Sequence, residues 1–407
     1  MTPTARKTSG EFTAATPGKT LILGGGFGGI AAANTLRGLL PAEHEIVLFE
    51  KEPTFHVGAG KTCVMLGERT PEQISQPVAK LLARGVRLVP GVVRGLDPGR
   101  GAVMTDRGEV RGDFLVLALG ADLDPSSLPG LSEAAHTFYT VDGAVRLKEA
   151  LEAFAGGDVA ILIPKVPFKC PPAPYEAAML IRHSLAARGL GEKARLSIYT
   201  VEGAPMGTAG PEMGQLIRDE LAQRGITFHP QKKAVRVDAG ARRIDFEDGS
   251  DARYDLLVAI PPHVAPKVVR EAQLVGPSGW IPVDPLTLKV AGVAGAAEVY
   301  AIGDVTTVIL PGRFRPDMPL SLPKAGVFAE AQGRVVAHQI AARVLGTAMA
   351  ETFDGRGFCY LEVAGGRAMK AEGSFFEQPH PVMQRRSPDE AQLREKQEWV
   401  ARQLLPR

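Results

Sequence analysis

KTLILGGGFGGIAAANTL, residues 19–36, decides the fold. A short apolar strand runs into a glycine turn and then an Ala-rich helix, and Gly24, Gly26 and Gly29 fit G-x-G-x-x-G. Glycines there let the turn close, let backbone approach a pyrophosphate, and let helix pack on strand. The motif alone is weak, but its flanks are correct. A second strand, Glu45-Ile-Val-Leu-Phe49, ends in Glu50, 24 residues after Gly26, where a carboxylate can meet an adenosine ribose. Phe27 and Lys51 join these as expected dinucleotide-site residues. A glycine turn of structural use only is the competing reading.

Moving outward, short strands over 86–119 end in Asp113-Phe-Leu-Val-Leu-Ala-Leu-Gly-Ala121. The same order of acidic residue, apolar strand and small-residue end recurs in Glu298-Val-Tyr-Ala-Ile-Gly-Asp-Val305. This pair resembles flavoproteins with two dinucleotide domains, in which a strand ending in Gly-Asp brings a carboxylate to the flavin ribitol. Ala118, Gly120, Gly303 and Asp304 are therefore expected to bind the cofactor.

Between these strands, residues 140–270 have the rhythm of a second doubly wound unit. Its first strand, Asp158–Ile163, leads through VPFKCPPAPYEAAML, residues 166–180, into a helix over 175–187. A nucleotide-binding turn would carry glycines here. This one carries Pro164, Pro167, Pro171, Pro172 and Pro174, five residues without an N–H donor, so it is not expected to hold a phosphate. It presents Cys170 instead, and a thiol near a helix N-terminus and beside Lys169 is expected to have a lowered pKa. The alternative is a buried, inert cysteine.

The fold class is thus α/β, with two Rossmann-like dinucleotide-binding domains of glutathione-reductase type and a small C-terminal sheet-plus-helix region. The expected divisions are a disordered leader (1–18), a cofactor domain in two parts (19–139 and 271–345), a second Rossmann-like domain without a fingerprint (140–270), and a C-terminal region (346–407). Within 346–407, residues 353–376 read as two or three strands carrying Cys359, and 387–405 as a charged helix whose Leu393, Trp399, Val400 and Leu404 pack on the protein itself. Lys324 opens a helix whose N-terminal positive end can stabilise a reduced flavin.

Composition narrows function. With 45% hydrophobic and 23% charged residues the chain is globular, and a net charge of +2 gives no argument for nucleic acid. No apolar run is long enough to cross a membrane. The first residues carry no export signal, so a cytoplasmic or peripherally membrane-associated protein is expected. Cys63, Cys170 and Cys359 are too few and dispersed for a disulfide scaffold or zinc site, and no metal is expected. Cys63 reads as a core or near-flavin residue.

LGGGFGG, FKCPPAPYE, DLLVAIPPH, VYAIGD, LPKAGVFAE and GFCYLEVAGG together resemble the sulfide:quinone oxidoreductases and the flavoprotein subunit of flavocytochrome c sulfide dehydrogenase, from about residue 19 to 376. The resemblance implies FAD, with Cys170 and Cys359 meeting over it as a disulfide or polysulfide-bridged redox pair. It makes Glu176 a candidate proton carrier and sets Lys324 at the flavin pyrimidine edge. Hydrosulfide would open the bridge and electrons would pass through FAD to a quinone, for which Phe358, Tyr360 and Phe375 are candidate pocket walls. The chain departs from the family twice. A further family cysteine is missing from 136–142, and the place of a covalent flavin attachment falls at Gly58, five residues before Cys63, so FAD is expected to be non-covalent. A c-type cytochrome as acceptor, membrane contact and a homo-oligomer stay open. So do a type II NADH dehydrogenase and a non-enzymatic flavoprotein.

Overall fold

The computed structural model describes residues 18–348 and 351–407, so the leader expected at the N-terminus lies outside the described residues except for Gly18. Strand β1 (Lys19–Leu23) leads through the glycine turn to helix α1 (Phe27–Leu39), followed by β2 (Glu45–Glu50), β3 (Val86–Pro90) and β4 (Phe114–Leu117). The second unit contains β5 (Gly157–Ile163), α2 (Ala173–Ala187), β6 (Ala194–Thr200), β7 (Ile226–His229) and β8 (Leu256–Ala259). The chain then returns through β9 (Glu298–Ala301) and α3 (Gly326–Leu345). It closes with β10 (Arg356–Ala364), β11 (Arg367–Ser374), β12 (Val382–Asp389) and α4 (Glu390–Arg402).

The first sheet has the order β9-β4-β1-β2-β3, with every pair parallel. Leu21, Ile22 and Leu23 are fully buried because helices or loops cover both faces of a parallel sheet, which is why β1 reads as an unbroken apolar run. The late strand β9 completes this sheet beside β4, which accounts for the repeated acidic-apolar-small pattern. The second sheet, β7-β6-β5-β8, is also parallel. Helix α2 packs between this sheet and β10. That packing brings the proline turn and the C-terminal sheet together.

Two boundaries differ from the sequence reading. The third strand of the C-terminal sheet, β12, lies beyond the 353–376 stretch expected to hold the strands and runs into the 387–405 stretch expected as helix. It is an edge strand with almost no buried side chain, so it lacks the period-2 apolar pattern that announces a strand. Helix α4 begins only after Asp389, whose carboxylate accepts the Gln392 N–H at 2.7 Å as an N-cap.

Candidate functional site

The glycine turn, the two small-residue strand ends, the proline turn and the C-terminal sheet border one cavity of about 460 Å³. Gly24 has a left-handed φ of +107°, and a Cβ there would stand 2.4 Å from the Ala118 carbonyl oxygen. A Cβ on Gly29 would stand 1.8 Å from the Gly24 carbonyl oxygen. These two glycines therefore shape the turn, while Gly26 and Phe27 face the cavity. Glu50 lines it too, and its carboxylate accepts the Gly25 N–H at 2.5 Å. Ala118, Gly120, Gly303 and Asp304 also border it, whereas Lys51 is exposed and does not.

Cys170 and Cys359 line the same cavity, and both are free thiols in this structure. Cys170 adopts φ +58°, uncommon for a residue with a side chain. Its N–H donates to the Lys324 carbonyl at 2.7 Å, and its carbonyl accepts from Ala173 N–H at 2.9 Å. The expected lowering of its pKa is overturned: burial, reinforced by the Glu176 carboxylate, pushes the thiol up to about 12. Although Cys170 retains exposed surface, that surface opens onto the cavity, and protein atoms crowd the thiol. Burial likewise pushes Cys359 up to about 12. The Ala173 N–H at the start of α2 lowers the thiol but is outweighed, being shared with the Cys170 carbonyl.

Glu176, in the first turn of α2, is 5% exposed. Its Oε1 accepts from Lys396 Nζ at 3.1 Å and its Oε2 from Glu362 N–H at 3.0 Å. Lys396 also donates to Glu362 Oε1 at 2.6 Å. Two carboxylates thus share one ammonium in a buried cluster. Burial raises the Glu176 pKa despite Lys396, so this site holds a proton more readily than a surface glutamate.

Lys324 is placed differently from the expectation. Helix α3 starts two residues later, and the Lys324 ammonium donates to the carbonyls of Asp304 at 2.6 Å and Thr306 at 3.0 Å. It lies 3.5 Å from the Trp280 ring centroid, and burial lowers its pKa to about 8. Its charge braces the Gly303-Asp304 turn from behind rather than extending α3. Phe358, Tyr360 and Phe375 line the cavity, and Trp399 of α4 joins them, stacked on Phe27 at 5.9 Å.

Two family models match the chain: pyridine nucleotide-disulphide oxidoreductase over residues 18–163, and the central region of the sulfide dehydrogenase [flavocytochrome c] flavoprotein chain over 144–261. The mitochondrial sulfide:quinone oxidoreductase of Mus musculus is 25% identical over 379 residues, 89% of this chain and 79% of that protein. The sulfide-quinone reductase of Aquifex aeolicus is 25% identical over 334 residues, 79% of this chain and 75% of that protein. The solved structure of the sulfide:quinone oxidoreductase from Aquifex aeolicus superposes with a TM-score of 0.81 at 22% identity, covering 94% of this chain and 90% of that one.

In sequence and fold the chain is similar to the sulfide:quinone oxidoreductases and the sulfide dehydrogenase flavoprotein. These oxidoreductases use a flavin, and the cavity fits one. Asp304 Oδ1 is buried without a hydrogen-bond partner, and a ligand hydroxyl would satisfy it. Gly26 leaves open space where a side chain would stand, and the first turn of α1 has no side-chain cap, leaving N–H groups for an anion. Among the described residues, no group of His, Cys, Asp and Glu is arranged to hold a metal, and no helix is long and apolar enough to cross a membrane.

Four residues of the cavity and its buried ion cluster were not singled out in the sequence: Lys61, Tyr139 and Lys396 on the wall, and Glu362 bonded to Lys396. Lys396 had a readable signal, since it lies three residues from both Leu393 and Trp399 and four before Val400, on the inward stripe of α4. Glu362 follows Phe358 and Tyr360 at period 2. Lys61 and Tyr139 lie in segments with no local pattern. Cys63, half-buried in the short helix Lys61–Met65, does not line the cavity, and burial pushes its thiol up to about 12.

Proposed function

We propose that the protein oxidises sulfide through Cys170 and Cys359, with non-covalent FAD as the two-electron carrier and a quinone as acceptor. The observation that carries this reading is the meeting of two sequence-distant cysteines on the wall of the cavity that the glycine turn and Asp304 also line, beside a buried proton-holding glutamate. Gly24, Gly26, Phe27, Gly29 and Glu50 would shape and hold the dinucleotide end, with Ala118, Gly120, Gly303 and Asp304 along the flavin end. FAD supplies reversible two-electron chemistry and the link to the acceptor. In the oxidised pair, hydrosulfide attacks one sulfur of a Cys170–Cys359 bridge, forms a persulfide there and releases the other cysteine as a thiolate. Glu176 accepts or returns the proton, held in place by Lys396 and the Glu362 N–H. Lys324 fixes the Gly303-Asp304 turn. Phe358, Tyr360 and Phe375, with Trp399, supply apolar walls for a quinone ring.

Gly58 lines the cavity while Cys63 does not, which supports non-covalent FAD. A second reading, with a c-type cytochrome as acceptor, is favoured by the flavocytochrome model over 144–261. Sulfide-dependent reduction of decylubiquinone against cytochrome c separates the two. In the same assay Cys170→Ser and Cys359→Ser should each abolish turnover while retaining FAD. Undiminished quinone reduction in both variants rules out the cysteine mechanism.

A further inference from the structure

Two cations on the cavity wall lack a counter-ion. Lys396, on the same wall, lies between two carboxylates, but neither Lys61 nor Lys169 forms an ion pair among the described residues. The Lys61 ammonium donates to the Tyr139 carbonyl at 2.8 Å. Tyr139, 5% exposed, turns its hydroxyl the other way and donates to the Lys169 carbonyl at 3.0 Å. One residue thus ties Lys61 to the backbone immediately before Cys170. Burial, with the Lys169 charge second, lowers Lys61 to about 8. An ammonium that is costly to bury and has one neutral acceptor is a place where an anion is missing.

We propose that Lys61 and Lys169 form a station for a small sulfur-centred anion, hydrosulfide in the reaction above, beside Cys170. This rests on the proposed function for the identity of the anion but not for its charge. In that reaction the hydrosulfide sulfur forms a bond to one cysteine sulfur, the Cys170–Cys359 bond breaks, and the other cysteine leaves as a thiolate. The attacking sulfur is oxidised to the persulfide level and the departing cysteine is reduced. One negative charge enters and one remains, so the same two ammonium groups serve both ends of the step. Lys396 and the Ala173 N–H lower the Cys170 thiol without offsetting burial and the Glu176 charge, so an anion formed there gains from any further positive charge on the wall.

The test compares alkylation of Cys170 by anionic iodoacetate and neutral iodoacetamide in the reduced holoprotein, resolved by peptide mass spectrometry. Changes in thiol accessibility or ionisation affect both reagents and cancel in the rate ratio, leaving the local charge. The wild-type ratio should exceed that of free glutathione by about tenfold. Lys61→Met and Lys169→Met should each lower it several-fold, and Lys61→Arg should keep it. A wild-type ratio equal to that of glutathione overturns the proposal without any variant, as does an unchanged ratio in both methionine variants. If the ratio behaves as expected but sulfide drives no turnover, the proposed reaction fails and the anion station stands.

Discussion

Asp304 demands a ligand, because its Oδ1 is a buried acceptor on the cavity wall with nothing to accept from. Asp304→Ala removes that acceptor, and FAD affinity should fall by about tenfold or more, as expected for losing a hydrogen bond to a carboxylate; flavin-to-protein absorbance ratios under dilution measure it. His263 makes a prediction about pH. It is 1% exposed, its Nδ1 bonds the Pro261 carbonyl oxygen at 2.7 Å, and burial lowers its pKa to about 3. Unfolded histidine takes up a proton near pH 6.5 while the folded one stays neutral, so between about 6.5 and 3 the unfolded state binds more protons and stability falls as pH falls. From pH 6.5 to 5 that loss amounts to about 2 kcal/mol. Urea unfolding at both pH values should show His263→Gln losing correspondingly less stability than the wild type. Cys170 marks the limit of what its neighbours in sequence reveal. The turn and the proline cage were legible, but the sign of the thiol's pKa was not, because burial and the Glu176 charge come from tertiary packing.

At the scale of elements, one ammonium joins three of them: α2 through Glu176, β10 through Glu362, and α4 through its own Lys396. Removing one partner of a buried ion cluster leaves charge uncompensated, so Lys396→Met should destabilise the fold by about 3 kcal/mol. Glu176→Gln combined with Lys396→Met should cost less than the sum of the two single changes, because they share one interaction; denaturant midpoints for the four proteins measure this. The element pattern was readable where apolar residues alternate or repeat, as in β1, β4, β5, β9 and α2. It failed at β12, whose side chains face solvent, and at Lys324, where the apparent helix start lies two residues before the helix. The Lys324 ammonium instead bonds the carbonyls of Asp304 and Thr306. The inward face of α4 was visible as an apolar stripe, but a lysine within that stripe gains meaning only from two carboxylates on other elements.

Across the whole molecule, two parallel sheets of the same kind differ at one turn each. The first keeps its glycines beside α1. The second replaces them with prolines and a cysteine, and α2 carries that cysteine's neighbours against the C-terminal sheet holding Cys359. This division was legible because both the glycine fingerprint and the proline turn are local, whereas the meeting of Cys170 with Cys359 depends on how three separate regions pack. It leads to opposite expectations for two reductants. Anaerobic titration of the purified holoprotein, followed by flavin absorbance near 450 nm, compares them directly. Sulfide should bleach the flavin promptly, an effect lost in Cys170→Ser, and NADH should not bleach it. Rapid bleaching by NADH with none by sulfide contradicts the proposed sulfide oxidation.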